Sequence, residues 1–227
     1  MRLAALFSGG KDSTYALDRV LDEGHEIVRL VTVVSERMDS YMYQVAGIEL
    51  AGYAARALGL PQTIVPVSGV PEEELLPLRD ALSGLDIDGV VSGAIRSEYQ
   101  RSRIEHICAE LGLESLTPLW HTGPERIGEM ADRGYEMVVV AVASMGLGTE
   151  WIGRRIDRVA LDELLRLERV FGINPDGEGG EFETAVLDGP RFRRRVVIRR
   201  HRVVWERDSG YMVVEEAGLE AVRAPVS

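Results

Sequence analysis

The chain has 227 residues, 45% of them hydrophobic and 28% charged, with a net charge of −11; that is ample for one large domain or two modest ones. So acidic a chain is a poor candidate for broad binding to a phosphate backbone, which needs clustered cations, and no direct nucleic-acid partner is expected. The longest apolar run, Met137 to Ala143, is far too short to cross a bilayer, so no membrane partner is expected and the cytoplasm is the expected address.

Leu3 to Phe7 reads as a short apolar strand. The turn Ser8-Gly9-Gly10-Lys11-Asp12-Ser13 follows, then Thr14, Ala16, Leu17, Val20 and Leu21 at helical spacing. In such a strand, turn and helix start, backbone N–H groups converge on an anion, and the helix dipole adds positive charge at the same point. Glycines let the backbone approach phosphate oxygens closely. Lys11 is the only lysine among 26 basic residues, which points to a need here for a compact ammonium rather than a guanidinium fork. The turn is neither a Walker A loop nor a dinucleotide fingerprint.

Further along, Ile27 to Val34 reads as a strand, Gln44 to Leu60 as a helix of small residues, and Thr63 to Val67 as a third strand with Pro66 marking its end or an edge. Pro71 to Ser83 is helical, with proline and acids in its first turn. Asp88 to Val91 is a fourth strand, ending in Ser92-Gly93-Ala94-Ile95, and a helix runs from Arg96 to Leu111. This helix holds Cys108, the only cysteine, which reads as a buried structural thiol and excludes an intrachain disulfide or Cys-x-x-Cys site. Alternating strands and helices predict an α/β fold, a Rossmann-like doubly wound parallel sheet with right-handed crossovers. An order of 3-2-1-4-5 makes the turns at Ser8-Gly9 and Ser92-Gly93 neighbours at the ligand-binding crevice.

The pattern changes near residue 121, which is taken as the boundary between domains 1–120 and 121–227. A helix from Arg126 to Arg133 precedes the buried strand Met137 to Ala143. The glycine-rich stretch 146–154 and a helix from Leu161 to Phe171 follow. Strand character returns at Thr184 to Leu187, Arg195 to Trp205 and Tyr211 to Val214, giving a smaller α+β domain. The basic run Arg191 to Arg202 reads as a strand with solvated ends, an anionic partner surface being the minority view. Between these elements, Gly172 to Thr184 crowds Glu178, Glu181 and Glu183 into a turn-rich segment. Such crowding is costly unless a cation is near, although a plain solvated acidic loop fits equally well.

The hexapeptide Ser8 to Ser13 resembles the PP-loop of the ATP pyrophosphatase (adenine nucleotide α-hydrolase-like) superfamily, which splits ATP into AMP and pyrophosphate. Further segments occur in order: Ser92-Gly93-Ala94 with Glu98-Tyr99-Gln100-Arg101-Ser102-Arg103, Pro118-Leu119-Trp120, Trp151-Ile152-Gly153-Arg154, and Gly177-Glu178-Gly179-Gly180-Glu181-Phe182-Glu183-Thr184. Together they are similar to the archaeal-type diphthine–ammonia ligase (diphthamide synthetase) family over nearly the whole chain. That family amidates diphthine on translation elongation factor 2 with ATP and ammonium. One departure is Met42-Tyr43-Gln44, where the family tends to carry histidine in the third place; Gln44 can hydrogen bond but cannot titrate.

The resemblance implies roles. Ser8, Gly9, Gly10, Lys11, Asp12, Ser13, Ser35, Ser92 and Gly93 would bind ATP, with Lys11 offsetting the charge of the leaving pyrophosphate and Asp12 holding Mg²⁺. Glu178, Glu181 and Glu183 are candidates to attract ammonium and take its proton. Tyr43, Gln44, Glu98, Arg101, Trp120, Trp151, Gly180, Glu181, Phe182 and Thr184 would face the protein substrate, and Tyr43, Trp120, Trp151 and Phe182 would offer π faces to a quaternary ammonium worth about 0.5–2 kcal/mol. The alternatives are a PP-loop enzyme that adenylates a tRNA base, against which the single cysteine and the acidity weigh, and a non-catalytic nucleotide-binding module. The sequence leaves room for a homo-oligomer.

Overall fold

The apolar run after Met1 forms β1 (Arg2–Leu6), with Leu3, Ala4 and Ala5 wholly enclosed. In the computed structural model, which describes residues 1–35, 49–68 and 75–221, β1 is the middle strand of a five-stranded sheet of order β3-β2-β1-β4-β5. Its partners are β2 (Glu26–Ser35) and β4 (Gly89–Val91), both parallel to it. Outside them lie β3 (Gln62–Val67) and β5 (Glu114–Leu116), also parallel. The expected doubly wound order is therefore the observed one. Pro66 pairs opposite Val34 on β3, an outer strand, where a missing N–H costs no inner ladder bond.

The crossovers are α1 (Lys11–Asp22), α3 (Leu75–Ser83) and α4 (Glu98–Leu111), with helical residues 49–58, here α2, between α1 and α3. α4 starts two residues later than the periodicity predicts because Ser97 caps it, accepting from the Gln100 amide at 3.3 Å. It stops at Gly112, left-handed at φ 68°, whose N–H returns to the last turn. One face of the sheet packs Ala4, Val31, Val65, Val67 and Val90 against Leu78, Leu82, Ile107 and Cys108 of α3 and α4. Burying each large aliphatic side chain there contributes about 1.5–3 kcal/mol. Cys108 sits inside this core as a free thiol, as its helical setting predicts.

The described residues of 1–8, 12–44 and 60–121 form this unit, and those of 9–11, 45–59 and 122–227 form a second. The second unit is α+β. Its sheet has the order β7-β6-β9-β8, all antiparallel, from β6 (Glu136–Val142), β7 (Phe182–Asp188), β8 (Arg194–Glu206) and β9 (Ser209–Ala221). β6 is buried along almost its whole length, as its unbroken apolar run requires. Helices α5 (Glu125–Asp132) and α6 (Arg158–Phe171) are tied by an ion pair between Asp132 and Arg158.

The basic run is a strand. Arg199, Arg200 and Arg202 on β8 pair across the hairpin with Glu215, Glu216 and Glu220 on β9. β9 extends to Ala221, seven residues past the strand expected from Tyr211 to Val214, because these charge pairs and the ladder to β8 hold a segment of low apolar content in register. Tyr43 and Gln44, and the helix opening at Pro71 to Glu74, lie outside the described residues.

Candidate functional site

In the first unit, three hydroxyls stand at the carboxyl ends of adjacent strands: Ser35 closing β2, Ser8 after β1 and Ser92 after β4. This is where strand order reverses in a doubly wound sheet and where such sheets bind ligands. Ser8 donates its amide to Ser13 Oγ at 3.3 Å, and the two hydroxyls are 3.1 Å apart, so the ends of the loop are tied together. A Cβ built on Gly93 would lie 2.7 Å from both the Asp12 carbonyl carbon and the Ser13 nitrogen. The Ser92-Gly93 turn therefore lies directly against the first turn of α1, and only glycine allows that approach.

Three hydroxyls in this unit are buried without a hydrogen-bond partner, and two of them, Ser92 Oγ and Thr14 Oγ1, belong to the segments at the switch point. Buried polar atoms are rarely left so, and donors of this kind fit an oxygen-rich guest such as a nucleotide phosphate. Asp12 occupies the first turn of α1. No group of three or more His, Cys, Asp or Glu that could hold a metal gathers among the described residues. A single carboxylate suits Mg²⁺ carried mainly by substrate phosphates and water, rather than a cage made wholly by protein.

Also in this unit, Arg101 lies 4.6 Å from the Trp120 ring and bonds Glu105 at 2.7 Å, so two expected substrate-facing residues meet each other. Glu98, a third, is exposed at the start of α4.

In the second unit, the glycine turn docks along β7. Gly9 is left-handed at φ 77° and its Cβ position would fall 2.9 Å from Ala51 Cα on α2, so conformation and space both require glycine. The Gly9 carbonyl accepts from the Val186 amide at 2.9 Å, and the Lys11 amide donates to Thr184 Oγ1 at 3.1 Å. Thr184 therefore anchors the loop, and one of the N–H groups expected to face a phosphate is engaged by it.

The Lys11 side chain is only 4% exposed. Its Nζ donates to the Asp176 carbonyl at 2.5 Å and lies 5.4 Å from the Phe182 ring centroid. Asp176, itself 1% exposed, accepts at its carboxylate from Arg126 Nη1 at 2.6 Å, and Arg126 is 2% exposed. Sequence reading passed over both residues of this ion pair. Arg126 looks like any polar residue in a helix, and Asp176 like the third residue of an Asn-Pro-Asp-Gly turn. The one signal was proximity to the glutamate-rich segment.

The three glutamates of that segment have different surroundings. Glu181 bonds the backbone of its own loop, accepting from the Asn174 amide at 3.0 Å and the Gly179 amide at 2.8 Å. It closes the turn in which Gly177 and Gly180 are left-handed. Glu183 presents surface to water, yet the protein around it is dense enough to dehydrate the carboxylate and raise its pKa above the ordinary value. Water still reaches the group, so the rise is smaller than full burial would give. Glu178 is half-buried and has partners of its own.

Of the aromatic rings expected to meet a quaternary ammonium, each described one already has a protein cation near it: Arg101 at Trp120, Arg154 at Trp151 and Lys11 at Phe182. Trp151 is 2% exposed and belongs to the core.

A parallel sheet of order 3-2-1-4-5 with Ser-Gly-Gly-Lys-Asp-Ser at its switch point defines a PP-loop protein. Comparison with known proteins narrows the class. The diphthamide synthase N-terminal domain matches residues 1–115 and the diphthamide synthase C-terminal domain matches residues 123–219; the chain belongs to the diphthamide synthase family.

Among its relatives, the diphthine–ammonia ligase of Rattus norvegicus is 36% identical, over 87% of this chain and 83% of that protein. That of Homo sapiens is 33% identical over 90% and 85%. The Schizosaccharomyces pombe ligase is 35% identical over 92% of this chain, which spans 38% of that longer protein. A predicted subunit of a tRNA methyltransferase from Methanocaldococcus jannaschii aligns at 16% identity and TM-score 0.43, over 84% of this chain and 100% of that one, a likeness too loose to carry an argument.

Proposed function

We propose that this protein catalyses the ATP-dependent amidation of diphthine on translation elongation factor 2 with ammonium, through an acyl-adenylate, releasing pyrophosphate and AMP. Its family membership and its ligase relatives support the reaction class. The observation that carries the reading is Lys11: the chain's only lysine is buried at the glycine turn and hydrogen-bonded to the start of the glutamate-rich segment.

In the first step a carboxylate oxygen of the substrate attacks the α-phosphorus of ATP and the bond to the β-phosphate oxygen breaks. Little covalent chemistry falls to the enzyme, so positioning and charge stabilisation dominate. Ser8, Gly9, Gly10 and Ser13 hold the leaving pyrophosphate, Lys11 offsets its growing charge, and Ser35, Ser92 and Gly93 complete the nucleotide pocket. Asp12 would hold Mg²⁺, which supplies further charge neutralisation at the phosphates.

In the second step ammonia attacks the acyl carbon, AMP leaves, and a proton is lost from nitrogen. Glu183, with its raised pKa, is the best-suited acceptor, because a base nearer neutrality holds the transferred proton better than an ordinary carboxylate. Glu178 helps gather the ammonium ion. Glu181 acts by shaping the loop, with Gly180 permitting its turn. Glu98, Arg101 and Trp120 form a patch for the protein substrate.

The test is incubation with ATP, ammonium and elongation factor 2 carrying diphthine. Production of AMP, pyrophosphate and amidated factor in equal amounts is expected; ADP in place of AMP, or AMP release indifferent to diphthine, would refute the assignment.

A further inference from the structure

The Lys11 ammonium ends a flexible stem, and a charge with four rotatable bonds stays in place only where its acceptor is itself fixed. Its acceptor, the Asp176 carbonyl, belongs to a residue held at two other points. The Asp176 amide donates to Asn174 Oδ1 at 3.0 Å, and its carboxylate takes the Arg126 Nη1 bond at 2.6 Å. Arg126 is in turn fixed by its place in the first turn of α5 and by a 2.8 Å bond from Nη1 to the Gly123 carbonyl.

We propose that Arg126 is a positioning residue: by locking the Asp176 carboxylate it aims the Asp176 carbonyl, and so fixes the Lys11 ammonium.

A buried arginine–aspartate pair is a poor device for stability alone, since uncharged residues of similar volume commonly serve as well, while removing one partner leaves a costly unpaired charge. What the pair adds is geometry. Lys11, Arg126 and Asp176 are each at most 4% exposed, so bulk water screens the contacts among them little. Only the kinetic arm below rests on the adenylating function.

The single lysine makes the test direct, because biosynthetic labelling with ¹³C,¹⁵N-lysine gives one side-chain signal from the whole protein. The paired variant Arg126→Met/Asp176→Asn leaves no buried charge unmatched within the pair. Its Lys11 Cε and Nζ resonances are expected to shift and broaden while the melting transition stays cooperative. With ATP, ammonium and the diphthine-bearing factor, kcat for AMP formation should fall by on the order of 10²-fold, the loss that a misplaced group entails. KM for ATP should be held, since the interaction lost belongs to the transition state. Arg126→Lys, which retains the charge, should recover part of both signals, and it carries the test if the paired variant fails to fold.

A folded paired variant with an unmoved Lys11 resonance and undiminished kcat would overturn the proposal. A moved resonance in a protein whose wild type releases no AMP upholds the positioning role and removes the adenylating function instead.

Discussion

The Lys11 ammonium lies 2.5 Å from the carbonyl oxygen of Asp176, 165 positions further along the chain. The glycine turn and the glutamate-rich segment are thus joined by the only lysine in the protein. Two substitutions separate its charge from its shape. Lys11→Arg keeps the charge but brings a planar fork into a space closed by Phe182 and β7, and is expected to lower kcat by about 10²–10³-fold, the range for losing one well-placed donor. Lys11→Met removes the charge and leaves the Asp176 carbonyl without this donor, at a cost of about 1–3 kcal/mol in stability. Steady-state AMP release and denaturant melts measure the two effects. An Arg variant with full activity would end the argument from the lone lysine.

Gly93→Ala tests the contact between the two serine–glycine turns. The added Cβ would sit 2.7 Å from backbone atoms of Asp12 and Ser13, which cannot rotate away as a side chain can. Overpacking of this sort costs about 1–3 kcal/mol, and a domain of this size loses roughly 2–4 °C of Tm for each kcal/mol. Because the displaced atoms belong to the turn proposed to hold the phosphates, the KM for ATP should rise as well. Gly84→Ala is the control, since nothing lies within 4 Å of its Cβ position, and it should leave both Tm and KM unchanged.

The first sheet was readable because each strand is an apolar run ended by turn residues, and because alternation with helices forces parallel pairing. β5 escaped notice: three partly exposed residues, Glu114 to Leu116, carry no period, and they become a strand only because β4 offers its edge. The end of β9 was hidden for another reason. Glu215-Glu216-Ala217-Gly218 has no strand preference of its own, and its order comes from arginines on β8. The same limit applied at the site. The residue types at Ser8 to Ser13 and at Gly177 to Thr184 pointed to an anion-binding turn and an acidic loop. That Glu181 faces its own backbone, or that Arg126 reaches Asp176 across 50 positions, depends on a fold that no local pattern encodes.

Cys108 provides a check on the absence of thiol chemistry. Burial pushes its thiol pKa up to about 11, and the Glu105 charge adds to the rise. A thiol so protonated is a poor nucleophile at neutral pH. Iodoacetamide should therefore leave the native protein unmodified over hours and fully active, while denatured protein takes up one equivalent. Rapid alkylation with parallel loss of AMP release would place Cys108 in the reaction.

Glu181 and Glu183 are two residues apart and are expected to fail differently when made neutral. Glu181→Gln loses the acceptor for one of its two backbone amides, so it should cost about 1–3 kcal/mol of stability and both chemical steps together. Glu183→Gln should spare adenylation and depress amide formation, so that AMP release becomes uncoupled from amidation of the factor. Its stability has a definite sign with pH. The folded pKa of Glu183 is raised by dehydration, so the folded state binds the proton more tightly than the unfolded chain, whose glutamates titrate near ~4.3. The advantage this gives the wild type is complete below that value and is lost as pH rises through the folded pKa. Relative to wild type, Glu183→Gln should thus gain stability over that interval and hold a constant increment above it. Urea melts from pH 4 to 8 measure the difference, and a Gln variant whose relative stability falls as pH rises would show that the Glu183 carboxylate is stabilised by a partner rather than dehydrated.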